Sequence, residues 1–206
     1  MDFRKHFETA WQSTLQFIGP VLLLTVVQVV VVVISLGILA PVTSAGYIQS
    51  LLRALREGRP PEIRDLFSQM SLFLPLFGFF VLVMICTGLG YMFLVLPGLA
   101  VALFVIFATM YMIPLMTDRK LGIMEALRES WDMATREPIT DQIVISVAWL
   151  IIISIGGSIP FAILVAQPFA MFLVLSVYEE RLLGRPVRSI GHIAANPPPP
   201  PPPAGQ

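Results

Sequence analysis

The sequence predicts an all-α polytopic membrane protein with six transmembrane helices in three hairpins, each preceded by a short amphipathic helix on the cytoplasmic side. Three observations lead to this prediction: few charged residues, their confinement to four clusters, and breaks rich in Gly and Pro inside each apolar stretch. Of the 206 residues, 56% are hydrophobic and 13% are charged, and the mean hydropathy is +0.83. Soluble domains carry about 25% charged residues. Most of this chain must therefore face lipid or other apolar helices.

Three apolar stretches, at roughly 18–52, 71–117 and 142–177, contain no charged residue. Each is long enough for two passes, since one spanning helix needs about 20 residues. The predicted spans are roughly 18–37, 38–56, 71–91, 94–117, 139–156 and 159–180. We expect the first apolar run to remain as a span, because it is longer than the core of a signal peptide. Residues 1–190 are predicted to form one membrane domain.

The charged residues predict the orientation of the chain. All thirteen basic residues lie in clusters that flank the apolar stretches, and hairpins return the chain to the same side each time. Because positive charge marks the cytoplasmic side, both termini are predicted to be cytoplasmic in a multi-pass protein of the inner (plasma) membrane. The net charge is zero, which implies no attraction to nucleic acid.

An amphipathic stretch precedes each predicted hairpin. Apolar residues recur at helical spacing, which places them on one face of a helix. They are Phe3, Phe7, Ala10, Trp11 and Leu15; Ile63, Leu66, Phe67 and Met70; and Met124, Leu127, Trp131 and Ala134. We infer a unit of amphipathic helix and hairpin that is used three times. It is either an ancestral repeat or convergence, since every hairpin needs a polar link.

Four short motifs resemble a known group of proteins. They are Gly46-Tyr47, Asp65-Leu66-Phe67, Pro97-Gly98 and, most specifically, the segment from Glu125 to Trp131. Residues 1–190 resemble uncharacterised bacterial multi-pass membrane proteins related to the membrane-embedded domain of some glycerophosphodiester phosphodiesterases. The resemblance implies architecture only, because the group has no agreed activity and this chain carries no phosphodiesterase catalytic domain.

Catalytic chemistry is weakly represented in the sequence. Charged residues inside spans usually mark function, and the predicted spans contain none away from their ends, where Asp141 lies and next to which Asp118 lies. We interpret Asp141 as a helix-start residue and Cys86 as an inert hydrophobe. His6 and His192 are isolated, and we find no phosphate loop, hydrolase motif or metal-ligand cluster. We therefore predict no catalytic residue, no metal and no cofactor.

Neutral polar and small residues stand out within the predicted spans. Gln28, Gln49 and Gln167 need partners in lipid, so they either bond across helices or line a polar pathway. A stripe of small residues, each four apart, favours close helix packing or homodimerisation. Its members are Ser158, Ala162, Ala166 and Ala170.

Two segments are candidate docking sites for a partner. Glu125, Arg128, Glu129 and Trp131 belong to the third amphipathic helix, whose polar face is either solvated or available to a protein. Residues 191–206 form a predicted disordered cytoplasmic tail, in which seven consecutive prolines include Pro197, Pro200 and Pro203. Such a run forms a semi-rigid extended helix that acts as a spacer or as a docking peptide.

These features favour a non-enzymatic membrane protein that organises or assists a membrane complex through its cytoplasmic face. The candidate partners are membrane lipid, a cytoplasmic or membrane protein, and a second copy of the chain. One alternative is a passive channel or a transporter that handles lipids or other amphiphiles. A membrane-embedded enzyme is the second alternative, and it would need catalytic groups such as Asp118, Glu125 or Asp141.

Overall fold

A computed structural model describes residues 3–93, 95–136, 138–159 and 161–183, and the regular secondary structure of these residues is helical. The α-helices are α1 (Phe3–Gln16), α2 (Ile18–Ile34), α3 (Ala40–Glu57), α4 (Phe73–Phe93), α5 (Val95–Thr109), α6 (Met112–Asp118), α7 (Ile123–Thr135), α8 (Ile139–Ser158) and α9 (Ile163–Leu183). Two short 3₁₀ helices, Ile63–Phe67 and Met70–Leu72, precede α4. The predicted all-α class is confirmed for these residues, and the proline-rich tail lies outside them.

Four segments are long and apolar enough to cross a membrane, or five if α1 and α2 count as one bent span. The four are Ile63–Met92, Val101–Asp118, Ile139–Ser158 and Ile163–Leu182. Helix α2 alone has 17 residues, and α3 carries Arg53, Arg56 and Glu57 near its C-terminal end. The fold is therefore compatible with a multi-pass membrane protein, and it has fewer candidate spans than the six that the sequence predicts.

Helix α1 turns a polar face toward the protein. It is bent by 85° from α2, and it packs along α9. Its buried face carries His6, Thr9 and Ser13, whereas the stripe of Phe7 and Trp11 is about half exposed. The hydrophobic periodicity correctly predicts an amphipathic helix. It does not predict that small polar side chains are buried in the helix contact while Phe7 and Trp11, whose rings pack edge-on against Phe169 of α9, stay about half exposed.

Helix α9 lies at the centre and α4 at the periphery. In the most apolar stretch of Ile163–Leu182, 61% of the residues are buried inside the protein, against 6% in Ile63–Met92. Helix α9 packs against α1, α2, α3 and α8, whereas α4 packs mainly against α5. The exposed surface of α4 is apolar, which is the composition that contact with lipid requires.

Each predicted amphipathic segment packs on a different long helix. Helix α1 lies on α9, Ile63–Phe67 lies on α3, and α7 lies on α5 and α6. The contact with α3 needs a glycine, because a methyl group at Gly46 would collide with the backbone carbonyls of Asp65 and Leu66. Two of the motifs that carry the resemblance, Gly46-Tyr47 and Asp65-Leu66-Phe67, thus form a single contact.

Candidate functional site at the charged end of the helices

Arg56 joins the ends of three helices. From α3 its guanidinium donates to Asp118 at the end of α6, with Nη2 2.8 Å from Oδ2, and to Glu179 on α9, with Nε 2.7 Å from Oε1. The Tyr178 hydroxyl donates to the same Asp118 Oδ2 at 3.1 Å. We call these four residues the Arg56 cluster, and we call the end of the helices where it lies the charged end.

The Arg56 cluster is largely withdrawn from water. The Glu179 side chain is 4% exposed and that of Asp118 is 17% exposed, while Arg56 reaches the surface at 32%. A planar guanidinium can serve two carboxylates at once because its five N–H groups form a fixed fork. A buried carboxylate without its cation is strongly unfavourable. Arg56 therefore holds α3, α6 and α9 together, and its donors are engaged in that role.

Asp65 forms a second charged group beside the first. One carboxylate oxygen accepts a hydrogen bond from Ser50 Oγ at 2.9 Å and another from the Glu62 backbone N–H at 3.3 Å. Arg53 and Arg59 lie 3.6 and 3.4 Å from the other oxygen. The Coulombic attraction of Asp65 raises the pKa of Arg59. Asp65 thereby fixes the 3₁₀ helix Ile63–Phe67 to the side of α3.

His6 is buried between two residues of α9. Its Nδ1 is 2.7 Å from Ser176 Oγ, and its Nε2 is 2.7 Å from Glu180 Oε2. Serine, histidine and carboxylate follow one another as in a hydrolase triad. Ser176, however, is 1% exposed on a helix that is packed against α1. A substrate carbonyl cannot reach its hydroxyl in this arrangement, so the contact acts as a polar anchor for α1.

Ser130 repairs a break in the helix that spans α5 and α6. Pro114 has no backbone N–H, and its ring displaces the carbonyl four residues earlier, which interrupts the helix near Met110. The Ser130 hydroxyl of α7 donates to the Ala108 carbonyl at 2.7 Å and accepts from the Tyr111 N–H at 3.3 Å. One side chain of the segment Glu125–Trp131 thus satisfies two backbone groups at the break.

The predicted docking residues of α7 have different surroundings. Glu125 caps its own helix, accepting from the Gly122 N–H at 3.3 Å. Trp131 is 40% exposed and packs with its ring centroid 5.6 Å from that of Phe104. Arg128 is exposed, and Glu129 is half-buried. The predicted tail residues Pro197, Pro200 and Pro203 lie outside the described residues.

The structure brings two of the three predicted glutamines together. Gln167 donates to Gln28 at 3.2 Å, and Gln28 donates to Ser44 at 3.3 Å, which links α9, α2 and α3. Gln49 lies apart from them, near the charged end. It accepts from Ser68 at 3.2 Å and makes a long contact of 3.5 Å to the Thr117 carbonyl.

Only part of the small-residue stripe lies in a contact between helices. A methyl group at Gly156 of α8 would collide with the Cβ of Ala166, so the two helices cross closely at this point. Ala170 is fully buried and Ala162 is half-buried, whereas Ser158 is exposed and bonds within its own helix. The stripe therefore contributes to the packing of α9 on α8 at Ala166, whereas Ser158 lies outside that contact.

Sequence reasoning missed His6, Ser130 and the partners of Arg56. Pro114 signals the break that Ser130 repairs, while nothing local indicates that Arg56 would meet a residue 123 positions away. Among the described residues, no group of three or more His, Cys, Asp or Glu is placed to hold a metal ion. No protein-family model, curated protein or solved structure matches this chain.

Proposed function

We propose that this protein is a non-enzymatic organiser of a membrane complex, and that it presents the outer face of α7 to a protein partner. One observation carries the proposal: α7 is fixed from within by Ser130 while Met124, Arg128 and Trp131 form an exposed stripe at spacings of four and three residues. A helix held in place loses little conformational freedom when it binds, which favours affinity.

The chemistry of this stripe suits a protein better than lipid alone. Met and Trp offer apolar area, and the neighbouring Arg128 and Asp132 are charged and exposed. Aromatic residues, Met and Arg are enriched in protein interfaces. The polar groups of the charged end, by contrast, are engaged with one another in the Arg56 and Asp65 contacts. This leaves α7 as the more suitable contact surface.

Site-specific cross-linking tests the docking role. A photoreactive residue replaces Arg128 in the full chain in native membranes, with Arg64, which is 79% exposed on another segment, as the matched control position. We expect a defined protein adduct from position 128 only, which disappears when Met124→Glu is added. Adducts with lipid alone, or the same adducts from both positions, would refute the role of α7.

We propose six crossings in three hairpins, with both termini on the cytoplasmic side of a bacterial inner membrane. Helices α3, α6 and α9 bring their ends to the Arg56 cluster, which favours one common face for them. From Ala40 to Arg56, α3 rises roughly 25 Å, close to the thickness of the hydrocarbon core. The basic residues near this end favour its placement in the cytoplasm.

The turn after α2 is compatible with a position against lipid. The N–H groups of residues 35–38 donate to backbone carbonyls, and the Leu39 N–H donates to Ser35 Oγ. Backbone groups next to hydrocarbon have to be satisfied in this internal way. From the sequence alone we also propose that the chain is related to the bacterial multi-pass group and that its proline tail docks a partner.

A further inference from the structure

A cavity lies between the long helices, at the level of the break near Met110. Its volume is about 210 Å³. Residues from α3, α5, α6, α8 and α9 line it, so it is closed on several sides. Three of the four candidate membrane spans contribute to its wall. The cavity therefore lies among helices that are suited to the hydrocarbon layer.

The walls of the cavity are apolar. Ile48, Val174 and Leu175 are fully buried and form its floor, while the half-buried Trp149 and Met171 are at its rim. The floor is thus sealed, and the rim is open toward the surface of the protein. An occupant can enter from the side of the surrounding lipid.

The polar side chains near the cavity already have hydrogen-bond partners. The Thr109 hydroxyl donates to the Val105 carbonyl at 2.7 Å, and Gln142 donates to Met110 Sδ at 3.6 Å. A buried water needs two to four polar partners, and apolar cavities of this size stay dry or take apolar molecules. An empty cavity forgoes dispersion contacts along its whole lining. Both arguments favour an apolar occupant over water.

We propose that this cavity binds an acyl chain of a membrane phospholipid. Acyl chains are the apolar groups present at the highest concentration around these helices, and Met110 and Met171 give the wall the adaptable shape that a flexible chain needs. The binding site is independent of the docking role of α7, because none of its lining residues belongs to that helix.

The fluorescence of Trp149 can report whether a lipid chain occupies the cavity. The chain has three tryptophans, so Trp11→Phe with Trp131→Phe leaves Trp149 as the only indole fluorophore. The full chain is reconstituted in phosphatidylcholine vesicles with or without bromine atoms on the acyl chains. Bromine quenches only fluorophores that it contacts. We expect strong quenching of Trp149 by the brominated lipid.

Variants that fill the cavity separate a bound chain from lipid at the outer surface. Val174→Phe fills the floor, and Ile113→Phe fills the half-buried rim in case the first variant folds poorly. Val147→Phe, on the exposed face of the same helix as Trp149, is the control. We expect either filling variant to lose the part of the quenching that a chain inside the cavity causes, with only the quenching by lipid at the open rim left, and the control to keep all of it. Quenching that is absent, or unchanged by filling, would overturn the proposal.

Discussion

Arg56 illustrates how a single residue determines where a charge can be buried. Glu179 is 4% exposed on α9, a position that would be unfavourable for a lone carboxylate. The guanidinium of Arg56 compensates by donating to both Glu179 and Asp118. The energetic importance of Arg56 follows from the burial of its partners, since Arg56 itself is partly exposed.

Replacing Arg56 should destabilise the protein far more than replacing a surface arginine. We expect Arg56→Met to lower the free energy of unfolding by about 3–5 kcal/mol, because it strands buried Glu179. Arg64→Met, whose side chain is 79% exposed beside Glu62, should cost at most about 1 kcal/mol. Thermal unfolding in detergent micelles measures both changes. Adding Glu179→Gln to Arg56→Met should restore part of the loss, and equal effects of both arginine variants would contradict this assignment.

Gly46 provides a second test with a matched control. Gly46→Ala places a methyl group against the backbone carbonyls of Asp65 and Leu66, and backbone cannot yield as a flexible side chain can. We expect a loss of about 1–3 kcal/mol or more from overpacking. Gly78→Ala on α4 meets nothing within 4 Å and should be neutral or slightly stabilising. If the midpoints of thermal unfolding shifted equally, the close contact at Gly46 would be refuted.

Elements were predictable from the sequence where local patterns determine them. Apolar periodicity predicts α1, the segment before α4, and α7, and Gly- and Pro-rich breaks predict the turns between long helices. Periodicity does not say which face makes contact. In water the apolar stripe of α1 would be buried, but beside lipid Phe7 and Trp11 can stay half exposed at the edge of Phe169 while His6 and Ser13 are buried against α9. Predicting from the sequence which face of α1 makes the contact would require knowing whether lipid, water or protein surrounds each face.

The break between α5 and α6 is an element whose stability depends on another helix. Ser130→Ala on α7 removes both hydrogen bonds to the break and leaves the Ala108 carbonyl and the Tyr111 N–H unsatisfied. We expect a destabilisation of about 1–3 kcal/mol and faster hydrogen exchange at the Tyr111 amide. Thr135→Ala, whose hydroxyl bonds within α7 at the surface, is the control. Unchanged exchange at Tyr111 would mean that the break does not need Ser130.

At the scale of the whole molecule, the sequence predicts a helical membrane protein but not which distant residues contact one another. Composition and charge clusters indicate a multi-pass helical protein, because they report the solvent that each segment meets. The Arg56 cluster and the packing of α1 on α9 join residues that are far apart in the chain, such as His6 and Ser176, whose sequence separation is 170. Local periodicity carries no information about such pairs, so they emerge only from the folded structure.

The number of crossings is open to direct measurement. In a Cys86→Ser background, Ile38→Cys marks the turn after α2 and Arg64→Cys marks the segment before α4. Six crossings place these two thiols on opposite sides of the membrane, so a membrane-impermeant maleimide should label each from one side only, and not the same side. In the unmodified chain, Cys86 is exposed on α4 and should stay unlabelled from either side, because it would face hydrocarbon.

The alternatives give distinct labelling patterns. Labelling of both positions from one side would show that α2 and α3 enter and leave through the same face, in agreement with the low apolarity of α3. A thiol at position 38 that resists labelling from both sides would place the turn within the hydrocarbon. The hydrogen bonds within the turn allow either position, since they satisfy its backbone without water. The depth of this turn is therefore set by the lengths of α2 and α3, and labelling at position 38 measures it.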